Sequence, residues 1–188
     1  MKKLIALSFL LFLIGCEKEV DTLQERNGLK YKINSTTPYT GKFKKIYATG
    51  QLEQEVNYKN GKREGLLKGY HATGKLEQEG NYKNGKREGL FKSYDVTGKL
   101  WQEGNYKNGK GEGVSRYYYA TGQLRWGANY KNGEKEGLFK YYYETGKLEQ
   151  EGNFKNGKLE GVRKRYSATG KLKEKEIYKN GKLLKKIN

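Results

Sequence analysis

The order of apolar and polar positions divides the chain into a short apolar leader and a long alternating region. Residues 4–14 are apolar except for Ser8. Further along, apolar and polar residues alternate in short runs, as in residues 66–70 and 76–82. Alternation with a period of two places side chains on opposite faces of a β-strand. The pattern therefore predicts a leader followed by a region of β-sheet.

The leader has the features of a lipoprotein signal peptide. Lys2 and Lys3 precede the apolar run, which is about half as long as a transmembrane helix requires. The Leu-Ile-Gly-Cys sequence that ends at Cys16 resembles the lipobox of bacterial lipoproteins. That resemblance implies cleavage before Cys16 and a diacylglycerol on its sulfur. The alternative is an ordinary signal peptide followed by an incidental cysteine. Cys16 is the only cysteine of the chain, so an internal disulfide is excluded.

We therefore expect residues 1–15 to be a signal peptide and residues 16–25 to be a lipidated N-terminus and tether. The acyl chains would hold the protein to membrane lipid at the bacterial cell envelope. The expected location is the outer membrane in a Gram-negative cell and the outer face of the cell membrane otherwise.

A 24-residue repeat fills most of the remaining chain. The dipeptides Asn-Gly and Thr-Gly each recur six times at this spacing, which is typical of stacked-repeat proteins. We predict a degenerate capping unit at residues 26–40, six β-hairpin repeats over residues 41–184 and a C-terminal tail at residues 185–188. The repeated asparagines are Asn60, Asn84, Asn108, Asn132, Asn156 and Asn180.

Each copy reads as two short strands, and the lengths of the connecting loops decide which side chains share a face. Three-residue loops with glycine in the left-handed region keep the alternation in phase from strand to strand. A two-residue Asn-Gly turn would instead reverse the alternation, and if both loops were that short, Leu67 and Gly69 would replace Leu66 and Tyr70 on the shared face. The first register is preferred, because it gathers positions that are apolar or tyrosine in nearly every copy. In the second copy it places on one face Leu66, Lys68, Tyr70, Leu76, Gln78, Gly80 and Tyr82.

The composition favours an extended β-protein. Hydrophobic residues make up 34% of the chain, below the usual content of about 45–50%, so a large globular core is not expected. The 17 tyrosines argue against disorder, because disordered chains contain few aromatic residues. We predict an all-β fold, an elongated and twisted single-layer antiparallel meander of stacked β-hairpin repeats.

The repeat also resembles a known family. Residues 84–100 read Asn-Gly-Lys-Arg-Glu-Gly-Leu-Phe-Lys-Ser-Tyr-Asp-Val-Thr-Gly-Lys-Leu, which is similar to the MORN-variant repeat. In bacteria this repeat occurs in proteins grouped as YwqK-type antitoxins of toxin–antitoxin systems. Residues 26–41 resemble the degenerate leading unit of the same proteins. The resemblance implies antiparallel hairpins and a scaffold role, and the antitoxin label implies a partner toxin.

The residues of common catalytic and metal sites are scarce. His71 is the only histidine, and Asp21 and Asp95 are the only aspartates. A Ser-His-Asp triad or a histidine-based zinc site needs more residues of these types. We therefore expect a protein that is not an enzyme and that uses neither a cofactor nor a metal ion.

The expected binding face combines recurring tyrosines with recurring cations. Aromatic rings offer stacking surfaces, and cations suit anionic groups. The alternative is that these side chains only support the sheet through cross-strand pairs. The candidate residues are Lys68, Tyr70, Gln78, Tyr82, Lys92, Tyr94, Tyr106, Arg116, Tyr118, Trp126, Lys140, Tyr142, Lys164 and Tyr166.

The net charge suggests what such a face would bind. The formal charge of +18 is spread over all copies rather than concentrated in one patch. Export to the envelope disfavours nucleic acid and favours a protein or an anionic envelope glycan as the partner. We expect a membrane-anchored, non-catalytic binding scaffold. The alternative is an antitoxin-like or immunity-like protein that neutralises a partner toxin.

Overall fold

The computed structural model describes residues 21–187. The expected signal peptide, Cys16 and the first part of the tether therefore lie outside the described residues. Every regular element in the described part is a β-strand. No helix among residues 21–187 has the length and apolar character that a membrane crossing requires.

Strands β3–β15 form one 13-stranded antiparallel sheet in strictly sequential order, and β1 and β2 form a separate hairpin. The all-β meander of stacked hairpins predicted from the sequence is confirmed. The strands are β1 (Gln24–Arg26), β2 (Leu29–Tyr31), β3 (Gly41–Ile46), β4 (Leu52–Lys59), β5 (Lys62–Tyr70), β6 (Leu76–Lys83), β7 (Lys86–Tyr94), β8 (Leu100–Lys107), β9 (Lys110–Tyr118), β10 (Leu124–Lys131), β11 (Glu134–Tyr142), β12 (Leu148–Lys155), β13 (Lys158–Tyr166), β14 (Leu172–Lys179) and β15 (Lys182–Ile187).

The Asn-Gly dipeptides form two-residue turns, so the predicted three-residue loop at residues 83–85 is wrong. Asn84 has φ 51° and Gly85 has φ 78°, and Lys83 pairs directly with Lys86. Two consecutive residues with positive φ define a type I′ turn, whose twist matches that of the strands it joins. Asparagine tolerates this conformation better than most residues with a side chain. The turn therefore needs one residue fewer than the expected loop.

The Thr-Gly segments form the three-residue loops that the sequence predicts. The His71 N–H donates to the Lys75 carbonyl at 2.8 Å, and the Gly74 N–H donates to the His71 carbonyl at 2.8 Å. Gly74 has φ 81°, in the left-handed region that a β-carbon makes costly.

A one-residue β-bulge follows each Thr-Gly loop and changes which side chains share a face. Tyr70 pairs with Leu76, but Gly69 pairs with Gln78, so Glu77 is left without a cross-strand partner. An extra residue on one strand reverses the alternation beyond it. The sequence gives no direct sign of this bulge.

The bulge and the Asn-Gly turn together overturn the predicted grouping of side chains. We call the side of the sheet that carries Leu66, Lys68, Tyr70, Leu76 and Glu79 the charged face, because directly paired residues point to the same side. The opposite side, the aromatic face, carries Leu67, Gly69, Gln78, Gly80 and Tyr82. Leu67 and Gly69 thus lie with Gln78, as in the register that the sequence analysis disfavoured.

The core of this open sheet is one row of side chains that crosses the aromatic face. Its buried hydrophobic members are Phe43, Val56, Leu67, Phe91, Ala128 and Phe139. The Phe91 ring lies over Gly80 on the neighbouring strand, where an added β-carbon would come within 2.5 Å of ring atoms. The same ring packs edge-on against Tyr82 and Tyr106, with centroid distances of 5.4 and 5.3 Å. Glycine on one strand therefore makes room for a ring from the next.

Residues before β3 contact the first Asn-Gly turn of the sheet. The Lys30 N–H donates to the Gly61 carbonyl at 2.9 Å, and the Gly61 N–H donates to the Tyr39 carbonyl at 2.7 Å. Tyr39 is buried beside Tyr58, with ring centroids 6.1 Å apart. These contacts cover part of the sheet at its N-terminal end.

Candidate functional site

The predicted binding residues do not form one surface, because the structure divides them between the two faces. Gln78, Tyr82, Tyr106 and Trp126 lie on the aromatic face, which corrects the single-face prediction. The physical reason is the reversal of alternation at the bulge. The remaining predicted residues lie on the charged face, and they are Lys68, Tyr70, Lys92, Tyr94, Arg116, Tyr118, Lys140, Tyr142, Lys164 and Tyr166.

A row of directly paired residues crosses the charged face, with cations and carboxylates alternating along most of it. Opposite charges on neighbouring strands stabilise a sheet, whereas like charges destabilise it. Arg116 lies 3.1 Å from Glu103, for example, and Lys164 lies 3.6 Å from Glu151. In strand order the row is Lys44, Glu55, Lys68, Glu79, Lys92, Glu103, Arg116, Gly127, Lys140, Glu151, Lys164 and Lys175.

Tyrosines beside this row donate hydrogen bonds to its glutamates. The Tyr94 hydroxyl lies 2.9 Å from Glu79, and the Tyr118 hydroxyl lies 2.8 Å from Glu103. Burial, followed by the hydrogen bond to the carboxylate, raises the pKa of each of these two tyrosines to about 12. A tyrosinate beside a carboxylate would be repelled, so the folded sheet favours the neutral phenol. Most predicted tyrosines on this face are therefore committed to holding neighbouring strands together.

A second row of directly paired residues crosses the aromatic face near the Thr-Gly loops. It contains Gln54, Gly69, Gln78, Ser93, Gln102, Tyr117, Trp126, Tyr141, Gln150, Arg165 and Glu174. Trp126 stacks on Tyr117 at a centroid distance of 4.5 Å and an interplanar angle of 8°. It also stacks on Tyr141 at 5.6 Å and 20°. Trp101 adds a fourth ring, 5.9 Å from Tyr117.

Sequence reasoning identified Trp126 but missed Trp101, Tyr117 and Tyr141. Their signal is variation between copies. Tyr117 corresponds to Gly69 in the repeat two copies earlier, and Trp126 corresponds to glutamine in four other copies. A search for positions that depart from the repeat would have found all three.

Open cavities lie at both ends of this ring stack. A cavity of about 560 Å³ is lined by Gln78, Ser93 and Trp101 together with the bulge residue Glu77. It lies beside Ser93, whose small side chain stands at the position that Tyr117 and Tyr141 occupy in later copies. At the other end, a cavity of about 400 Å³ is lined by Tyr119, Arg125, Tyr141, Glu149 and Gln150. The stack and its two cavities form the least regular part of the aromatic face.

His71, Glu77 and Asp95 line the same cavity of about 560 Å³, and His71 and Asp95 each take part in hydrogen bonds of the loops there. The His71 ring nitrogen Nε2 lies 2.9 Å from the Tyr94 carbonyl, so it links two loops. Asp95 accepts hydrogen bonds from Thr97 and Lys99 within its own loop. Among residues 21–187, no three His, Cys, Asp or Glu side chains are grouped closely enough to hold a metal ion.

Comparison with known proteins identifies the repeat. The family model described as MORN repeat variant matches six segments, residues 39–60, 63–84, 87–108, 111–132, 135–156 and 159–180. Each segment ends at the asparagine of an Asn-Gly turn, and the period is that of the predicted repeats. No curated protein matches the chain.

Two solved structures show a distant likeness. One is an S. aureus TarM mutant in complex with fondaparinux, alpha-GlcNAc-glycerol and UDP, at 9% identity and a TM-score of 0.35, covering 51% of this chain and 19% of that one. The other is a crystal structure of TarM, at 10% identity and a TM-score of 0.33, covering 50% of this chain and 20% of that one. The chain thus spans about a fifth of their length.

Proposed function

Because this chain belongs to the MORN repeat variant family, we propose that its repeat scaffold serves non-catalytic binding at the bacterial cell envelope. Lipid on Cys16 would hold the scaffold to the membrane. The aromatic face would hold the partner.

The observation that carries this proposal is the position of the residues that differ between copies. Repeat proteins keep the residues that build each unit and present a continuous surface for recognition. Here the turn dipeptides recur in all six copies, whereas the row across the aromatic face changes from Gly69 and Ser93 to Tyr117 and Tyr141. These changes assemble one ring stack in the middle of the sheet. A residue needed only for the fold would not have to vary in this way.

The chemistry of the stack fits a protein surface or an anionic envelope glycan. Aromatic rings with a polar edge provide contact area at low entropic cost. Lys135 lies over the Trp126 ring with its Nζ 5.1 Å from the centroid, and Arg125 lines the adjacent cavity. Cations beside these half-buried rings would attract carboxylates or sulfates on the ligand.

The test uses substitutions that the repeat itself provides. Trp126→Gln and Tyr141→Ser introduce the residues of Gln102 and Ser93, so they should preserve the fold. The probes are alginate as an anionic polysaccharide, dextran as a neutral one, and detergent-solubilised envelope proteins from the native host. The double variant should bind alginate or its envelope protein about tenfold more weakly, since truncated aromatic anchors typically cost about 1–2 kcal/mol or more.

Lys68→Gln on the charged face is the matched control, and it should change binding by much less. If the control abolishes binding while the aromatic variant binds normally, the proposed face is wrong. An envelope partner that is a toxin, and whose activity this protein suppresses, would favour the antitoxin-like alternative over the general scaffold.

A further inference from the structure

Two positions interrupt the alternation of charges on the charged face, Gly127 and Lys175, and only Gly127 leaves its place without a side chain. Four copies place a glutamate at this point of the row, as Glu55, Glu79, Glu103 and Glu151, whereas the fourth copy has Gly127 and the sixth has Lys175. Gly127 pairs with Arg116 on one side and with Lys140 on the other. Two cations therefore flank a position that lacks its carboxylate, and each also lies near a glutamate on its other side, Arg116 at 3.1 Å from Glu103 and Lys140 at 4.0 Å from Glu151.

The neighbouring copies show how the missing carboxylate would be held. Glu103 accepts a hydrogen bond from the Tyr118 hydroxyl at 2.8 Å and from Arg116 at 3.1 Å. Glu151 accepts one from the Tyr166 hydroxyl at 2.9 Å and lies 3.6 Å from Lys164. Each glutamate is thus bound by one phenol and at least one cation.

The phenol of the fourth copy has lost this partner. Tyr142 stands one period from both Tyr118 and Tyr166. In four other copies a glutamate fifteen positions earlier accepts the hydrogen bond, and for Tyr142 the residue at that place is Gly127. Within residues 21–187, the Tyr142 hydroxyl has no hydrogen-bond partner, although its carbonyl accepts a bond from Tyr119.

Space is present where the glutamate side chain would lie. A cavity of about 180 Å³ is lined by Arg116, Gly127, Lys140 and Tyr142 together with apolar groups. The apolar groups include Leu124 and Leu138, and Leu138 is 45% exposed. The cavity therefore offers polar donors for an anion and an apolar wall for an aliphatic stem.

We propose that this cavity binds a glutamate side chain of a partner protein, in the place that Glu103 and Glu151 occupy within their own copies. Arg116, Lys140 and the Tyr142 hydroxyl hold the carboxylate, and Leu124 and Leu138 contact its methylenes. Charge-assisted hydrogen bonds of this kind are stronger than neutral ones, and the apolar wall strengthens them further. The site lies on the charged face, so it does not depend on the ring stack of the proposed function.

The direct experiment titrates the ¹⁵N-labelled protein with N-acetylglutamate amide and follows the backbone signals by NMR. The signals of Gly127 and Lys140 should shift and saturate, with a dissociation constant on the order of millimolar for so small a probe. N-acetylglutamine amide has the same shape without the charge, and it should bind about tenfold or more weakly. Acetate carries the charge without the stem, and it should also bind more weakly.

Gly127→Glu supplies the carboxylate from within the chain. An added β-carbon would lie 3.3 Å from the Ser115 carbonyl oxygen, so a small adjustment is needed. Because other copies carry glutamate here, we expect a folded variant that melts at a higher temperature. It should no longer bind N-acetylglutamate amide, since its own side chain fills the cavity.

Tyr142→Phe keeps the proposal testable if Gly127→Glu does not fold. It should weaken binding of the probe severalfold without lowering the melting temperature, because the hydroxyl has no partner to lose. The matched control Tyr118→Phe should lower the melting temperature and leave the affinity unchanged, because that hydroxyl binds Glu103.

Several results would overturn the proposal. One is equal binding of the glutamate and glutamine probes, and another is unchanged binding by Gly127→Glu. Acetate that binds as tightly as N-acetylglutamate amide would assign the cavity to free small carboxylates instead of a partner's side chain. Shifts confined to the signals of the ring stack around Trp126 would contradict a site at Gly127. They would be compatible with the proposed function, which places binding at the ring stack.

Discussion

Replacing Gly80 by alanine tests whether rings laid over glycines stabilise this open sheet. The new β-carbon would lie 2.5 Å from Cγ and Cε1 of Phe91, whereas ordinary contacts begin at 3.4 Å. The ring would have to move by roughly 1 Å in a row that is already closely packed. Phe91 also contacts Tyr82 and Tyr106 on either side, so a shift disturbs both contacts. Overpacking of this kind typically costs about 1–3 kcal/mol of the free energy of unfolding.

The measurement is urea unfolding followed by circular dichroism, with the free-energy change taken from the midpoint at constant slope. Gly69→Ala is the matched control, because it lies on the same face and its nearest neighbour is the Gln78 side chain at 3.1 Å. That side chain is flexible and can move aside. We expect the control to change the free energy of unfolding by less than about 0.5 kcal/mol.

A double-mutant cycle with Phe91→Ser isolates the clash. Serine occupies the corresponding position of another copy, as Ser115, so the strand accepts it. Once the ring is removed, the extra cost of Gly80→Ala should vanish, which gives a coupling energy of about 1–3 kcal/mol between the two sites. The reasoning fails if Gly80→Ala costs no more than Gly69→Ala, or if its cost is the same with and without the ring.

Three further predictions follow from the turns, the tyrosines and the repeat. Gly85→Val should destabilise the protein by about 1–2 kcal/mol in thermal melting, because Gly85 has φ 78°; an unchanged melting curve would contradict the turn. Stability should fall as the pH rises from about 10 to about 12, because the pKa of Tyr94 and of Tyr118 is raised to about 12 in the folded state and the unfolded chain gives up these protons first. Tyr94→Phe combined with Tyr118→Phe should reduce that loss in pH-dependent urea unfolding, and an identical pH profile would refute the assignment. Deleting residues 89–112 should leave a folded sheet by circular dichroism, whereas deleting half a period should not; the opposite result would exclude the stacked architecture. In addition, Cys16→Ser should abolish labelling by a fatty-acid probe, and persistent labelling would show that the anchor is elsewhere.

The fold could be predicted because its determinants are local and repeated. Asn-Gly and Thr-Gly at a constant spacing fix where each strand ends, and alternation identifies the strands. The register could not be predicted in the same way. The register depends on the bulge at Glu77 and on the positive φ of Asn84. Both features change which side chains share a face, and neither is visible in the alternation of apolar and polar residues.

The candidate site could be predicted only in part, because the predicted register was wrong. Lys68 and Tyr70 do share a face, but the assumed register placed their partners on the opposite face, so a structural network looked like a binding surface. These partners are Glu79, which pairs with Lys68, and Glu55, which accepts a hydrogen bond from the Tyr70 hydroxyl. Tyr117 and Tyr141 were missed because the assumed register placed them on the opposite side from Trp126. The repeats conceal such residues, since a search for what recurs passes over what differs.

The strictly sequential order of the strands has a consequence for how the chain folds. Each strand of the large sheet pairs only with the strands before and after it in the chain. Sheet proteins usually fold slowly because distant segments must meet, but here every loop to be closed is short. Any hairpin can serve as a starting point, and neighbours can add to it in either direction. Within the described sheet, β3 and β15 each have a partner strand on one side only, so backbone amides there should exchange with solvent first and those of the central strands last.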